Sequence, residues 1–361
     1  MIRLSMLQFR AQAIIAAVTL TAFAALLVAT GPHLASMYAA DGLDSCHGVS
    51  CANNANYFSG SLDQSPYSAL YLLSVGVILL APAIIGLFWG APLIARELET
   101  GTSALAWNQS VTRTRWLAIK LGIGVLAAMT FTEALCLMQT WWAAPLSQAV
   151  ADGASIGVAQ TRFSQLNFAT HGITPLGYAA FAFILGVTIG ALIRRTVPAM
   201  ALTLAIFAAL QVAMPLWIRP NLAPPDHTVA SVTSLGAGPS QTGPGGDTFA
   251  LYAHSVPGQL GAWILSSGPI NAAGRPTSTT PAACASVEGT GVTVGGQSRA
   301  FPPGQGPAAL VACLGRHGIQ ESITYQPASR YWRFQFTETA IYLAVALGLA
   351  GYGFRRIRRL S

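Results

Sequence analysis

Six long apolar runs, separated by more polar segments, dominate the pattern of hydrophobic and polar positions along the chain. The runs lie near 11–31, 67–92, 117–142, 173–193, 197–218 and 336–354. A helix needs roughly 20 residues to cross a bilayer, so the pattern predicts an all-α polytopic membrane protein with six transmembrane helices. The first run resembles a signal peptide, but its apolar core from Ala11 to Thr30 is longer than the usual core of about 7–15 residues. We expect it to be a retained helix.

Composition supports a membrane location. The chain is 53% apolar and only 9% charged, whereas ordinary soluble domains are about 25% charged. The net charge of +7 does not indicate nucleic-acid binding, because the basic residues cluster at the ends of the apolar runs. At these positions they orient helices against anionic lipid.

The basic residues also predict orientation, because short loops rich in arginine stay in the cytoplasm. With both termini inside, the cytoplasmic segments contain Arg3, Arg10, Arg96, Arg113, Arg115, Lys120, Arg194, Arg195, Arg355, Arg356, Arg358 and Arg359. The outer segments contain fewer basic residues, spread over many more positions. We therefore expect a multi-pass plasma-membrane protein. Residues 1–218 would hold five spans, 219–335 an extracytoplasmic domain, and 336–361 the sixth span with a basic cytoplasmic tail.

The connector from Ala95 to Lys120 is polar and charged, although apolar runs lie directly before and after it. Such a segment is expected at a membrane surface, and its basic residues place it on the cytoplasmic side. An ordinary charged surface loop would give the same polarity.

The order of residues in this connector is more specific than its polarity. It reads Arg96-Glu97-x-Glu99-x-Gly101-Thr102, then Gln109-Ser110-Val111-Thr112-Arg113, and then Lys120 at the start of a helix. This order resembles the first cytoplasmic loop of type-2 ABC exporter permeases. The segment from Gln326 to Glu338 also looks like the start of the final helix in actinobacterial permeases of this kind.

The resemblance implies a membrane subunit that moves an amphiphilic or hydrophobic substrate out of the cell. Residues 95–116 would then form a coupling loop that receives force from a separate ABC ATPase, and a second permease would complete the pore as a homodimer or a paired different chain. The implied coupling residues are Arg96, Glu97, Glu99, Gly101, Thr102, Gln109 and Arg113. The outer domain is larger than the loops of polysaccharide and simple drug exporters, so their substrates do not transfer to this chain.

The sequence contains no phosphate-binding loop of its own. That motif needs a lysine after glycine and before serine or threonine, but the only lysine, Lys120, lies between Ile119 and Leu121. We therefore expect no cofactor and no enzymatic activity in this chain, with ATP and Mg²⁺ held by the partner ATPase.

Four cysteines fall in segments predicted to lie outside, as the local pairs Cys46 with Cys51 and Cys284 with Cys313. An oxidising exterior favours disulfides, so a small, disulfide-stabilised α+β insert is expected within 219–335. A metal site at Cys46, His47 and Cys51 is an alternative, although no fourth ligand at a characteristic spacing completes it. Free thiols are another, and we predict no metal.

Glu133 is the carboxylate deepest within a predicted span, and Glu338 is expected at the outer mouth of the sixth span. A buried carboxylate usually faces a cavity, a partner or the bundle interior. Glu133 is thus a candidate for the substrate path, or a structural residue paired with Gln139 or Gln211. A secondary transporter remains an alternative, as does a membrane-anchored sensor or enzyme acting through the outer domain.

Overall fold

The computed structural model describes residues 10–46, 51–99, 113–151, 161–232, 239–242, 249–251, 253, 256–259, 261–287, 293–294, 297–298 and 307–358. The chain divides into two compact units. The first comprises Met1–Leu222 with Trp332–Ser361, and the second comprises Ala223–Tyr331. The sequence boundaries of 219 and 335 lie slightly outside the second unit, because helical turns continue past the fifth apolar run and begin before the sixth.

Among its described residues, the first unit contains six helices that are long and apolar enough to cross a membrane, in agreement with the six predicted spans. Five of these helices are longer than the predicted apolar runs, since they continue into polar flanks, and the fourth has nearly the predicted bounds. They are α1 (Arg10–Ala40), α3 (Pro66–Ile84) continued by a π-helical turn (Ile85–Gly90) and α4 (Ala91–Glu99), α5 (Arg113–Trp142), α8 (Thr174–Ile193), α9 (Thr196–Ala213) with its turns to Asn221, and α11 (Tyr331–Arg358). We number these the first to the sixth spanning helix.

Three short helices lie between the spanning helices of the first unit: α2 (Ala52–Asp63), α6 (Ala144–Ala151) and α7 (Gln165–Thr170). Tyr71 of α3 donates a hydrogen bond to Asn167 of α7 over 2.7 Å. Gln335 of α11 accepts from the backbone N–H groups of Ile173 and Thr174, each at 3.0 Å. These contacts tie the connection after the third spanning helix to the second and the sixth.

The fourth spanning helix, α8, is the centre of this bundle. In the most apolar stretch of α8, 83% of the residues are buried, against 11% in the corresponding stretch of α1. The helix α8 packs against the second, third and fifth spanning helices. The residues of α8 are apolar on every side of the helix, so it has no polar face. It is therefore the core against which the other helices are arranged.

The second and fourth spanning helices approach each other at backbone distance. A Cβ atom on Gly186 would lie 2.4 Å from the carbonyl oxygen of Gly86, and one on Gly90 would lie 2.6 Å from that of Phe183. Gly86 and Gly90, like Gly186 and Gly190, have the four-residue spacing of small residues found at helix contacts in membranes. The π-helical turn at Ile85–Gly90 coincides with this contact.

The second unit is built on a three-stranded antiparallel sheet in the order β1 (Asp226–Ser231), β7 (Gln320–Gln326), β4 (Trp263–Ile270). Two-stranded ladders pair β2 (Pro239–Thr242) with β3 (Phe249–Leu251), and β5 (Thr293–Val294) with β6 (Gln297–Ser298). The helix α10 (Pro307–Arg316) carries Cys313, which forms a disulfide with Cys284. The predicted mixture of helix and strand is therefore present.

The close contact between the second and fourth spanning helices predicts that a methyl group added there lowers the stability of the protein. Gly186→Ala should lower the free energy of unfolding by about 1–3 kcal/mol, because overpacked cores lose this much. Gly348→Ala is the matched control, since nothing lies within 4 Å of the Cβ it would add. Unfolding of the purified protein in mixed micelles measures both. Equal stability of the two variants would contradict the packing described here.

Candidate functional site

The candidate site is the end of the bundle at which the second spanning helix stops and the third begins, which we call the connector end. The helix α4 ends at Glu99, and α5 starts at Arg113. The fifth spanning helix also starts here, at Thr196, after a turn in which Arg194 has the left-handed φ of 57°. Three helix ends therefore meet around the last turn of α4.

Glu97 joins α4 to the third spanning helix. Its carboxylate forms an ion pair with Lys120 of α5, and the side chains of Lys120 and Glu97 are only 2% and 19% exposed. The ammonium group of Lys120 also lies 4.5 Å from the centroid of the Trp116 ring. A buried ammonium group is stable only when paired, so this contact fixes the two helices to each other.

Glu99 joins α4 to the fifth spanning helix. One carboxylate oxygen accepts from the backbone N–H of Thr196 over 3.1 Å and from its hydroxyl over 2.7 Å. The N-cap residue of α9, Arg195, supplies no side-chain cap. Glu99 therefore takes the role that an N-cap side chain usually has, in which an oxygen satisfies a free N–H group of the first turn.

The two carboxylates together fasten one helix end to two others, an arrangement that we call the carboxylate clasp. Glu97 and Glu99 are two positions apart, so they project about 200° from each other around α4. Lys120 and Thr196 receive them on different sides. A displacement of the end of α4 must then be transmitted to α5 and α9.

The other predicted coupling residues are placed as follows. Arg96 is an exposed residue in the last turn of α4, and Arg113 is the first residue of α5. Gly101, Thr102 and Gln109 lie outside the described residues. The sequence interpretation placed Glu97 and Glu99 in a contact surface for another protein, which stays a prediction, and the structure engages both carboxylates in contacts between helices.

Glu133 lies in the third spanning helix, where it is half-buried. Its Oε2 atom is buried and has no hydrogen-bond partner among the described residues. Of the two suggested structural partners, Gln211 accepts a hydrogen bond from Tyr342 over 3.1 Å, and the amide atoms of Gln139 are themselves without partners in this part of the chain. The structure does not bring Glu133 together with either glutamine.

Glu338 is not at an exposed mouth of the sixth spanning helix, as the sequence suggested, but fully buried. Its carboxylate receives hydrogen bonds from Nε and Nη2 of Arg219 over 2.8 and 3.0 Å, and a further one from the Tyr178 hydroxyl. The Arg219 guanidinium lies 3.9 Å from the centroid of the Phe168 ring. Opposite charges at the end of one apolar run and the start of the next were the available signal for this pair.

The comparison with family models gives one result. The model described as ABC-2 membrane transporter related matches residues 17–219, which is more than half of the chain. The chain belongs to this family. No curated protein and no solved structure matches the chain.

Membership in the ABC-2 family agrees with the six spanning helices, and the protein is a multi-pass membrane protein. Permeases of the ABC-2 family are typically transport subunits without enzymatic activity, and they usually work with an ATPase partner. The matched residues include the whole carboxylate clasp and end at Arg219. The clasp therefore lies within the part of the chain that defines the family.

Both predicted cysteine pairs form disulfides, Cys46–Cys51 in the first unit and Cys284–Cys313 in the second. His317 lies near the second pair, with Nδ1 at 3.6 Å from Sγ of Cys284 and 3.8 Å from that of Cys313. Since a thiolate is the form of cysteine that binds metal, the bonded sulfurs do not offer a metal site in this state. Cys136 is a buried free thiol.

The ion pair within the clasp predicts strong coupling between its two members. Lys120→Met removes the ion pair that the Glu97 carboxylate forms with Lys120 and should lower the free energy of unfolding by about 3 kcal/mol, as breaking buried pairs does. The double variant Glu97→Gln with Lys120→Met should recover most of that loss, because both charges of the pair are removed together.

Unfolding of the two single variants and the double variant in mixed micelles measures this coupling. Arg355→Met, which removes an exposed charge from the sixth spanning helix, is the control and should have little effect. If the double variant lost as much free energy of unfolding as the two single variants together, the two side chains would not stabilise each other.

Proposed function

We propose that the chain is the transmembrane subunit of an ATP-driven exporter that moves an amphiphilic or hydrophobic substrate out of the cell. Its energy would come from a separate ABC ATPase, which holds ATP and Mg²⁺. The observation that supports this most directly is the carboxylate clasp, because a helix end fastened to two neighbours can pass a push on one short segment to three spanning helices.

The proposed mechanism starts at the connector, residues 95–116, on the cytoplasmic side of the membrane. Closure of the ATPase domains would displace this segment through Arg96, Gly101, Thr102, Gln109 and Arg113. Glu97 and Glu99 would transmit the displacement to the third and fifth spanning helices, since conformational transitions travel through packed helices as rigid elements. The spans would then tilt toward outward release.

A pore of this class needs more than one set of six helices, so we propose that two permease subunits assemble around the substrate path. The partner is either a second copy or a paired different permease. The termini would lie in the cytoplasm, where Arg355, Arg356, Arg358 and Arg359 meet anionic lipid. The second unit would lie outside, in the compartment where its disulfide persists.

Capture of the ATPase tests the class of protein. Tagged permease should co-purify with one soluble ABC ATPase of its host, and Arg96→Glu should reduce the captured amount at least tenfold, because it places a negative charge at the exposed end of α4. Arg355→Glu, the same change in the basic tail, is the matched control and should leave capture intact. No ATPase captured by the unchanged protein in gentle detergent with nucleotide would favour a secondary transporter instead.

The amount of substrate transported per ATP hydrolysed tests the role of the carboxylate clasp separately from ATPase capture. Glu99→Ala removes the oxygen that caps α9 and should lower transport severalfold at unchanged ATPase capture, because the first N–H group of α9 loses its acceptor. Glu99→Gln keeps an oxygen acceptor and should retain most of the transport. Transport by reconstituted permease and ATPase, relative to ATP hydrolysed, is the measurement. If the alanine and glutamine variants transported the same amount of substrate per ATP hydrolysed, the oxygen of Glu99 would have no role in coupling.

A further inference from the structure

One face of the third spanning helix combines a carboxylate with exposed apolar side chains. Leu126, Leu137 and Trp141 are 64%, 61% and 58% exposed. Their positions relative to Glu133 are seven before, four after and eight after, which is the spacing of residues on one helix face. We call Leu126, Glu133, Leu137 and Trp141 the α5 strip.

The position of Glu133 along α5 sets its depth in the membrane. It follows Lys120 by thirteen residues, or about 20 Å, and precedes Trp142 by nine, or about 14 Å. A bilayer has a hydrocarbon core of about 30 Å. The carboxyl group therefore lies within the apolar layer, beyond the depth of lipid headgroup amines.

No charge within the described bundle neutralises this carboxyl group. The two buried cations of the bundle are already paired, Lys120 with Glu97 and Arg219 with Glu338, and Oε2 of Glu133 has no hydrogen-bond partner there. A charged side chain at this depth is costly unless it meets an opposite charge. The α5 strip thus offers a carboxyl group, flanked by apolar surface, whose charged form an arriving cation would stabilise.

We propose that the α5 strip binds the cargo, and that the cargo is a cationic amphiphile carrying a primary amine or a similar cation. The ammonium group would pair with the Glu133 carboxylate, while the apolar part would lie on Leu126 and Leu137. Trp141 adds an aromatic face that attracts cations as well as apolar groups. This inference rests on the proposed transport function and narrows its substrate class.

Binding to the permease alone tests the inference without the ATPase. The probes are dansyl-aminooctylamine and its N-acetylated, uncharged form, titrated into the full chain in phosphatidylcholine nanodiscs and followed by dansyl fluorescence. The Kd of the amine should rise about tenfold or more in Glu133→Gln, since bonds to charged groups contribute this much. The acetylated probe should bind both proteins equally. Leu137→Ala, the control for apolar contact, should weaken both probes alike.

Three results would overturn the proposal: equal affinity of Glu133→Gln and the unchanged protein for the amine, equal affinity of the unchanged protein for both probes, or no saturable binding of the amine. A Leu137→Cys variant in a Cys136→Ala background also tests for a second copy on the strip. Disulfide-linked dimers through that cysteine, formed in the same yield with and without the amine probe, would show that protein covers the strip instead of cargo. None of these outcomes depends on ATPase capture. The proposal about the cargo can therefore be wrong while the proposed transport function is right, and the experiments tell the two cases apart.

Discussion

An ion inside an apolar helix bundle must be paired, and this constraint determines how the ends of the bundle are held. The energetic reason is that an unpaired charge loses its hydration without compensation. At the connector end Glu97 is paired with Lys120, and in the last helical turn before the second unit Arg219 is paired with Glu338. Between these two points the helices are held mainly by apolar packing and by glycine contacts such as that of Gly86 with Gly186.

The fifth spanning helix is fixed at both ends as a result. Its first residue, Thr196, is capped by Glu99 of the second, and its last turn contributes Arg219 to Glu338 of the sixth. Because these polar contacts are specific in geometry, they define the register of the helix at both of its ends. In the proposed mechanism, a displacement that reaches Thr196 would therefore be carried along the helix to the buried pair at Arg219.

The six apolar runs and the mixed second unit were predictable from the sequence, because hydropathy and alternation are local properties. The partners of the charges were not, since pairing depends on how distant segments pack. Glu97 and Glu99 look alike in sequence, yet one binds Lys120 and the other caps Thr196. Glu338 was expected at the outer mouth of its span, because the one signal for its pairing with Arg219, opposite charges at the ends of two apolar runs, does not say which ends pack together. The glycines at 86, 90, 186 and 190 did carry a readable signal for the contact of the second and fourth spanning helices.

The buried pair also explains how a bundle of this kind accommodates a large insertion. The second unit, Ala223–Tyr331, is inserted between Arg219 and Glu338, and these two residues are bonded to each other within the first unit. The chain ends that lead into and out of the insertion are thus held together by the bundle itself. Since the entropy of closing a loop grows only slowly with its length, the size of the insertion places little demand on the helices. The family match from 17 to 219 ends at one member of this pair, so the insertion begins just after the part of the chain that the family model matches.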